Sequence, residues 1–80
     1  LKAIVNIYLK DGVLDPQGKA VHHALKTMGF LGVSDVRMAK QIILELDAAN
    51  EEEARAGVEK MCETLLANTV IENYTFELNR

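Results

Sequence analysis

The sequence predicts an α+β fold, a four-stranded antiparallel sheet with two helices on one face, in the order strand, helix, strand, strand, helix, strand. Three observations point there. Two apolar stripes at helical spacing are each opened by a capping residue. The stretches around them alternate apolar and polar residues with the period of a strand. The chain has 80 residues, 49% hydrophobic and 26% charged, which suits a single globular domain spanning 1–80. A domain this small buries only about 60–65% of the surface its unfolded chain exposes. Its core is thin, and association with a partner is expected.

The first strand is Lys2 to Lys10. Ala3, Val5, Ile7 and Leu9 alternate on one face and Ile4, Asn6 and Tyr8 on the other. A strand with one wet face would not usually place Ile and Tyr there, so the second face is expected to be covered, by a second copy of the chain among other candidates. Lys10-Asp11-Gly12 breaks the pattern. Asp15-Pro16 then sets a helix N-cap and a first helical residue. The helix runs from Pro16 to about Met28, with Ala20, Val21, Ala24, Leu25 and Met28 as its apolar stripe and Gly29 as its stop. Val33 to Met38 and Gln41 to Leu46 read as a hairpin, with Ala39-Lys40 at or near a turn that lacks the Asn-Gly or Asp-Gly signal of a tight reversal. Asn50, with Glu53 three residues later, forms a capping box for the second helix, and Glu51 and Glu52 suit its positive end. Ala54, Val58, Met61, Cys62 and Leu65 are its stripe, and Asn68 is placed to end it in a left-handed conformation. Val70 to Leu78 is the last strand, with Tyr74, Phe76 and Leu78 inward. This order is the split βαβ arrangement of ferredoxin-like folds.

Composition narrows the function. Twelve acidic residues against nine basic ones give a net charge of -3, which disfavours nucleic-acid binding. Aromatics are 5% of the chain, and Tyr8 alone is placed on the open sheet face, so base stacking has little to work with. One cysteine excludes an internal disulfide and a multi-thiolate zinc cage, and it fits a reducing, cytoplasmic setting. No apolar run is long enough to span a membrane, and no signal-peptide pattern is visible. The sequence starts at Leu1 rather than Met, so an initiator or short leader is expected to lie before these residues.

The search for chemistry returns little. His22 and His23 are adjacent on a helix and point about 100° apart, not at the i, i+4 spacing of a metal pair. Cys62 sits on a buried stripe and reads as a core thiol. Asp15-Pro16-Gln17-Gly18 opens a helix but lacks the glycines and the Lys-Ser/Thr pair of a phosphate loop. No Ser-His-Asp or Cys-His set is present with believable proximity. Asp35, Arg37 and Lys40 form a polar group around the hairpin, open to a ligand or a partner. The apolar residues Ile4, Tyr8 and Ile43 fall on the sheet face away from the helices and are expected to form a self-association face.

Val13-Leu14-Asp15-Pro16-Gln17-Gly18, Ala24-Leu25, Val36-Arg37 and the run Leu65-Leu66-Ala67-Asn68-Thr69-Val70-Ile71-Glu72-Asn73-Tyr74 closely resemble the PurS family, the small subunit of phosphoribosylformylglycinamidine synthase in purine biosynthesis. The resemblance covers nearly the whole chain in order. It implies a PurS-like fold and a subunit with no active site, cofactor or metal of its own. In that family the complex uses glutamine and ATP to convert formylglycinamide ribonucleotide to formylglycinamidine ribonucleotide. The chemistry belongs to a glutaminase subunit and a synthetase subunit. The small subunit is implied to dimerise, or to pair as a dimer of dimers, to bridge the two catalytic subunits and to assist ammonia transfer. Arg37, Lys40, Asn68 and Glu72 match the family's motifs and are expected to face partners. Ala39 stands where the family's hairpin motif commonly has Gly, a residue that tolerates positive φ. The competing reading is a small-molecule-binding regulatory domain of the ferredoxin-like dimer type, with Gly29 to Gly32 as its ligand loop. An acyl-phosphate hydrolase on the same strand order would need an Arg after the first strand, where Lys10-Asp11-Gly12-Val13 offers none.

Overall fold

The computed structural model describes residues 1–80 and divides them into a small packed unit and a projecting arm. The packed unit contains β1 (Lys2–Leu9), β2 (Ala39–Glu45) and β3 (Glu72–Asn79). They form one antiparallel sheet in the order β2-β1-β3. Period-two alternation puts Ala3, Val5 and Ile7 on the inner face of the central strand, and all three are buried. Their cross-strand partners extend the same rows. Leu44 and Leu78 flank Ala3, and Ile42 and Phe76 flank Val5.

One helix covers this face. α2 (Glu51–Met61) starts at Asn50, whose side chain accepts the Glu53 N–H at 2.8 Å, as the capping box requires. Its Ala54 and Val58, with Cys62 just beyond, are buried against the sheet. The helix then widens into a π-helical turn over Cys62–Leu66, closed by the Ala67 N–H on the Cys62 carbonyl at 3.1 Å. A wider turn carries the residues after Cys62 around the helix axis. Leu65, expected on the buried stripe, therefore faces out. Asn68 does not terminate a helix in a left-handed conformation: only Gly12 and Gly29 have positive φ. Its carboxamide instead accepts the Val70 N–H, and this local turn delays the last strand to Glu72.

The arm is α1 (Pro16–Thr27) and the segment that follows it. Asp15 caps the helix and Pro16 occupies its first turn, as expected. At the other end the Gly29 N–H bonds the Lys26 carbonyl and the Phe30 N–H bonds the Leu25 carbonyl. That paired closure needs a left-handed residue, and Gly29 supplies it at φ 94°.

Two expectations change here. The sheet of this chain has three strands, and Val33–Met38 is not one of them. That segment runs back along α1: the His22 ring bonds the Val33 carbonyl and the Asp15 carboxylate accepts the Met38 N–H, while Gly18, without a side chain, leaves room for the Val36 carbonyl. The expected reversal at Ala39-Lys40 does not form. Without a turn signal the backbone continues straight into β2, and Ala39 has no positive φ, so nothing there demands glycine. The second change concerns the helices: α2 lies on the sheet, while α1 contributes no residue to the core.

Candidate functional site

The four residues expected to face partners gather at one end of the sheet, where the arm leaves it. The junction is built on Asp15. One carboxylate oxygen accepts the Gly18 N–H at 2.8 Å, the local cap that the sequence announces. The other accepts the Met38 N–H at 2.7 Å, across 23 residues of chain. These two bonds, helped by the Arg37 guanidinium nearby, hold the Asp15 carboxyl below its ordinary pKa of 3.8, against a smaller opposing effect of burial. With both oxygens engaged and the carboxylate form favoured, Asp15 is an anchor and not a general base. Gly18 is needed at its position because a Cβ there would collide with the Val36 carbonyl.

Arg37 braces the other side. Its guanidinium donates to the Val13 carbonyl at 2.9 Å and the Lys10 carbonyl at 3.3 Å. The Lys10 N–H in turn donates to the Ile71 carbonyl at 2.9 Å, which links the arm root to the start of β3. There Glu72 accepts the Asn68 N–H at 2.7 Å, and the Asn68 carboxamide accepts the Val70 N–H at 3.2 Å. Three of the four expected partner-facing residues thus spend polar groups inside the chain. Lys40, at the start of β2, is exposed, and with Glu72, Asp15 and Gln17 it lines an open cavity of about 220 Å³.

Next to this junction the Tyr74 hydroxyl donates to Glu63 at 2.7 Å. A phenol that donates to a carboxylate resists ionisation, and burial adds to the effect, so the Tyr74 pKa rises to about 12. Burial likewise pushes the Cys62 thiol above its ordinary pKa of 9.0, as expected of a core cysteine. No group of three or more His, Cys, Asp or Glu side chains is arranged to hold a metal ion.

The expected self-association residues lie on the outer sheet face but do not form one patch. Ile4 and Ile43 are direct cross-strand partners. Tyr8 is four residues further along β1, about 13 Å at strand spacing. The polar row of Gln41, Asn6 and Thr75 separates them, with Gln41 bonded to Asn6 at 2.9 Å. The loop Gly29 to Gly32 lines none of the molecule's cavities, so nothing here builds a ligand site around it. Sequence reasoning missed the bond from Met38 to Asp15 and the pair of Tyr74 with Glu63. Neither leaves a local signal, since each joins residues far apart on different elements.

Comparison with known proteins agrees with this architecture. The family model described as PurS, phosphoribosylformylglycinamidine (FGAM) synthase, matches residues 2–80. The PurS subunit of phosphoribosylformylglycinamidine synthase from Synechocystis sp. is 49% identical, with 92% of this chain and 74% of that one covered. The crystal structure of Methanocaldococcus jannaschii PurS superposes with a TM-score of 0.89 at 42% identity, covering 99% of this chain and 95% of that one. A chain in the structure of PurLQS from Thermotoga maritima superposes with a TM-score of 0.87 at 36% identity, covering 95% of this chain and 93% of that one. A match that runs from the first strand to the last residue, at this identity and with the same fold, places the chain in the PurS family.

Proposed function

We propose that this chain is the PurS subunit of a phosphoribosylformylglycinamidine synthase and acts there by assembly. The observation that carries the reading is the likeness, over 95% of the chain, to a chain of the PurLQS assembly. The residues support a non-catalytic role. At the junction both Asp15 oxygens, two Arg37 N–H groups, Asn68 and one Glu72 oxygen are engaged in hydrogen bonds within the chain, and no nucleophile stands beside a base. In this reading a glutaminase subunit hydrolyses glutamine to glutamate and ammonia. A synthetase subunit spends ATP to activate the amide oxygen of formylglycinamide ribonucleotide. Ammonia then replaces that oxygen, giving formylglycinamidine ribonucleotide, ADP and phosphate. Ammonia that escapes to water becomes ammonium, which has no lone pair to attack with. A bridging subunit that fixes the distance between the two centres therefore raises the fraction of ammonia that reacts. This subunit binds no cofactor itself; ATP and glutamine are used by its partners. The complex works in the cytoplasm, and no helix of this chain is long and apolar enough to cross a membrane.

The partner-facing end of the subunit is the junction, with exposed Lys40 as its contact and Arg37, Asn68 and Glu72 holding the surface in shape. The subunit is a homodimer. Ile4 and Ile43, direct cross-strand partners, and Tyr8 further along β1 are its self-association residues on the outer sheet face. Light-scattering mass of the purified chain, alone and mixed with the glutaminase and synthetase subunits, tests the reading. A dimer that enters a larger complex and confers glutamine-dependent activity is expected. A chain that joins neither partner, with glutamine and ADP present, refutes it. Lys40→Ala is expected to weaken assembly at least several-fold and to leave the isolated subunit folded. Unchanged assembly removes Lys40 from the contact.

A further inference from the structure

Lys10 differs from every other cation of the chain. It directly follows β1 and is half-buried, while all the remaining lysines and arginines are exposed. A lysine commonly lays its stem on the protein and keeps its ammonium in water. Lys10 instead borders a polar cavity of about 380 Å³ at the junction, with Thr69, Asn73 and Tyr74 beside it. Its ammonium belongs to neither of the chain's ion pairs, which join Lys2 to Glu45 and Arg55 to Glu51. The Thr69 N–H, the Thr69 hydroxyl and the Asn73 carboxamide are likewise without a partner in the chain.

The carboxylates that border the same space are engaged with other groups. Glu63 accepts the Tyr74 hydroxyl at 2.7 Å, and Glu72 accepts the Asn68 N–H at 2.7 Å. Neither pairs with Lys10. An ammonium and three neutral donors thus border one cavity, and the chain gives none of them an acceptor.

The site is also held in shape before anything binds. The Lys10 N–H donates to the Ile71 carbonyl at 2.9 Å. Its carbonyl accepts the Val13 N–H at 3.2 Å and the Arg37 guanidinium at 3.3 Å. A charge on a fixed root loses less freedom on binding than one on a loose segment. Around it, Tyr8, Val70 and Ile71 are exposed apolar side chains at the same end of the sheet. An apolar collar excludes water from the group it surrounds, and an ion pair strengthens as water leaves.

From these observations we infer that Lys10 is the seat of an ion pair with a catalytic subunit: an aspartate or glutamate side chain of the glutaminase or the synthetase enters the cavity and takes the Lys10 ammonium and the free donors of Thr69 and Asn73. The inference rests on the complex proposed above and adds to Lys40 a second, more sheltered contact. The cavities that Lys10 and Lys40 border share Tyr8 and Glu72 as a common wall, so the two contacts form one surface.

The test is the dissociation constant for assembly of the whole chain with the glutaminase and synthetase subunits. Lys10→Met keeps the stem and removes the charge. It is expected to weaken assembly about tenfold or more, and Lys10→Arg much less. Lys2→Met, at the opposite end of β1, is expected to leave assembly unchanged. If Lys10→Met assembles like the parent, the inference falls and the subunit reading stands. If the parent joins neither partner, both fall. Asn73→Asp reads the sign of the partner's charge without touching Lys10, and it carries the test should Lys10→Met not fold. A carboxylate there repels an incoming carboxylate and competes for Lys10, so weaker assembly is expected. Unchanged assembly overturns the inference, and tighter assembly does so by showing a basic occupant. The isolated chain separates the other occupants. A lower light-scattering mass in Lys10→Met assigns the cavity to a second copy of the chain. A thermal midpoint that L-glutamate raises in the parent but not in Lys10→Met assigns it to a free carboxylate. Either result overturns the inference; equal masses and no such shift are expected.

Discussion

Asp15 has a local role and a distant one. As a cap it satisfies the first turn of α1; through Met38 it ties the far end of the extended segment to the same helix. Gly18, one turn later, lets that segment approach by having no side chain at all. Gly18→Ala is therefore expected to push the Val36 carbonyl away and to destabilise the folded chain by about 1–3 kcal/mol, the usual range for overpacking. Denaturant unfolding measures it. A neutral or stabilising Ala, as expected at an ordinary helical position, would show that the clamp yields freely. The cap at Asp15 was legible in the sequence because its partner is three residues away. The bond to Met38 was not, because nothing in the order of residues indicates that the segment returns along the helix.

At the scale of elements, the π-helical turn decides what α2 shows to solvent. It keeps Cys62 in the core and swings Leu65 out. It also presents Glu63 to Tyr74. The folded state favours the neutral phenol, whose pKa lies at about 12 against an ordinary 10.0. The unfolded chain therefore loses its proton first as pH rises, and stability from this pair, complete below pH 10, is lost between pH 10 and about 12. In a Tyr8→Phe background, phenolate absorbance is expected to show Tyr74 ionising above the ordinary 10.0. In Glu63→Gln on the same background that step moves down towards the ordinary value. If it stays, the hydrogen bond is not its cause. Regular helical spacing puts Leu65 on the inner stripe, since a local change of helical pitch leaves no mark on the spacing of residues.

For the whole molecule, the relevant fact is that nine of 80 residues are buried. A core of Ala3, Val5, Ile7, Val58, Cys62 and Ala67 is small for a chain that must also order a projecting helix. In the proposed homodimer, stability drawn from the second copy depends on mass action. The thermal midpoint is expected to rise by about 3–5 °C for each tenfold increase in protein concentration, the shift that about 1.4 kcal/mol gives for a dimer of this size. Calorimetry over a hundredfold range measures it. A midpoint independent of concentration would mean that the single chain is stable alone.

Periodicity and capping residues were enough to locate both helices, β1, β2 and β3 to within a few residues. Those signals are local, and the elements obey them: Asn50 caps α2, Gly29 stops α1, and Ala3, Val5 and Ile7 face inward. The motifs around Asp15 and Asn68 were likewise enough to point to the PurS family. What tertiary structure alone decided is where the pieces go. Val33–Met38 has the alternation of a strand, and a strand needs a neighbour. Whether that neighbour is the next segment of the same chain depends on a reversal at Ala39. The backbone runs straight there, and the helix and strand that the sequence assigned to one layer stand apart from it.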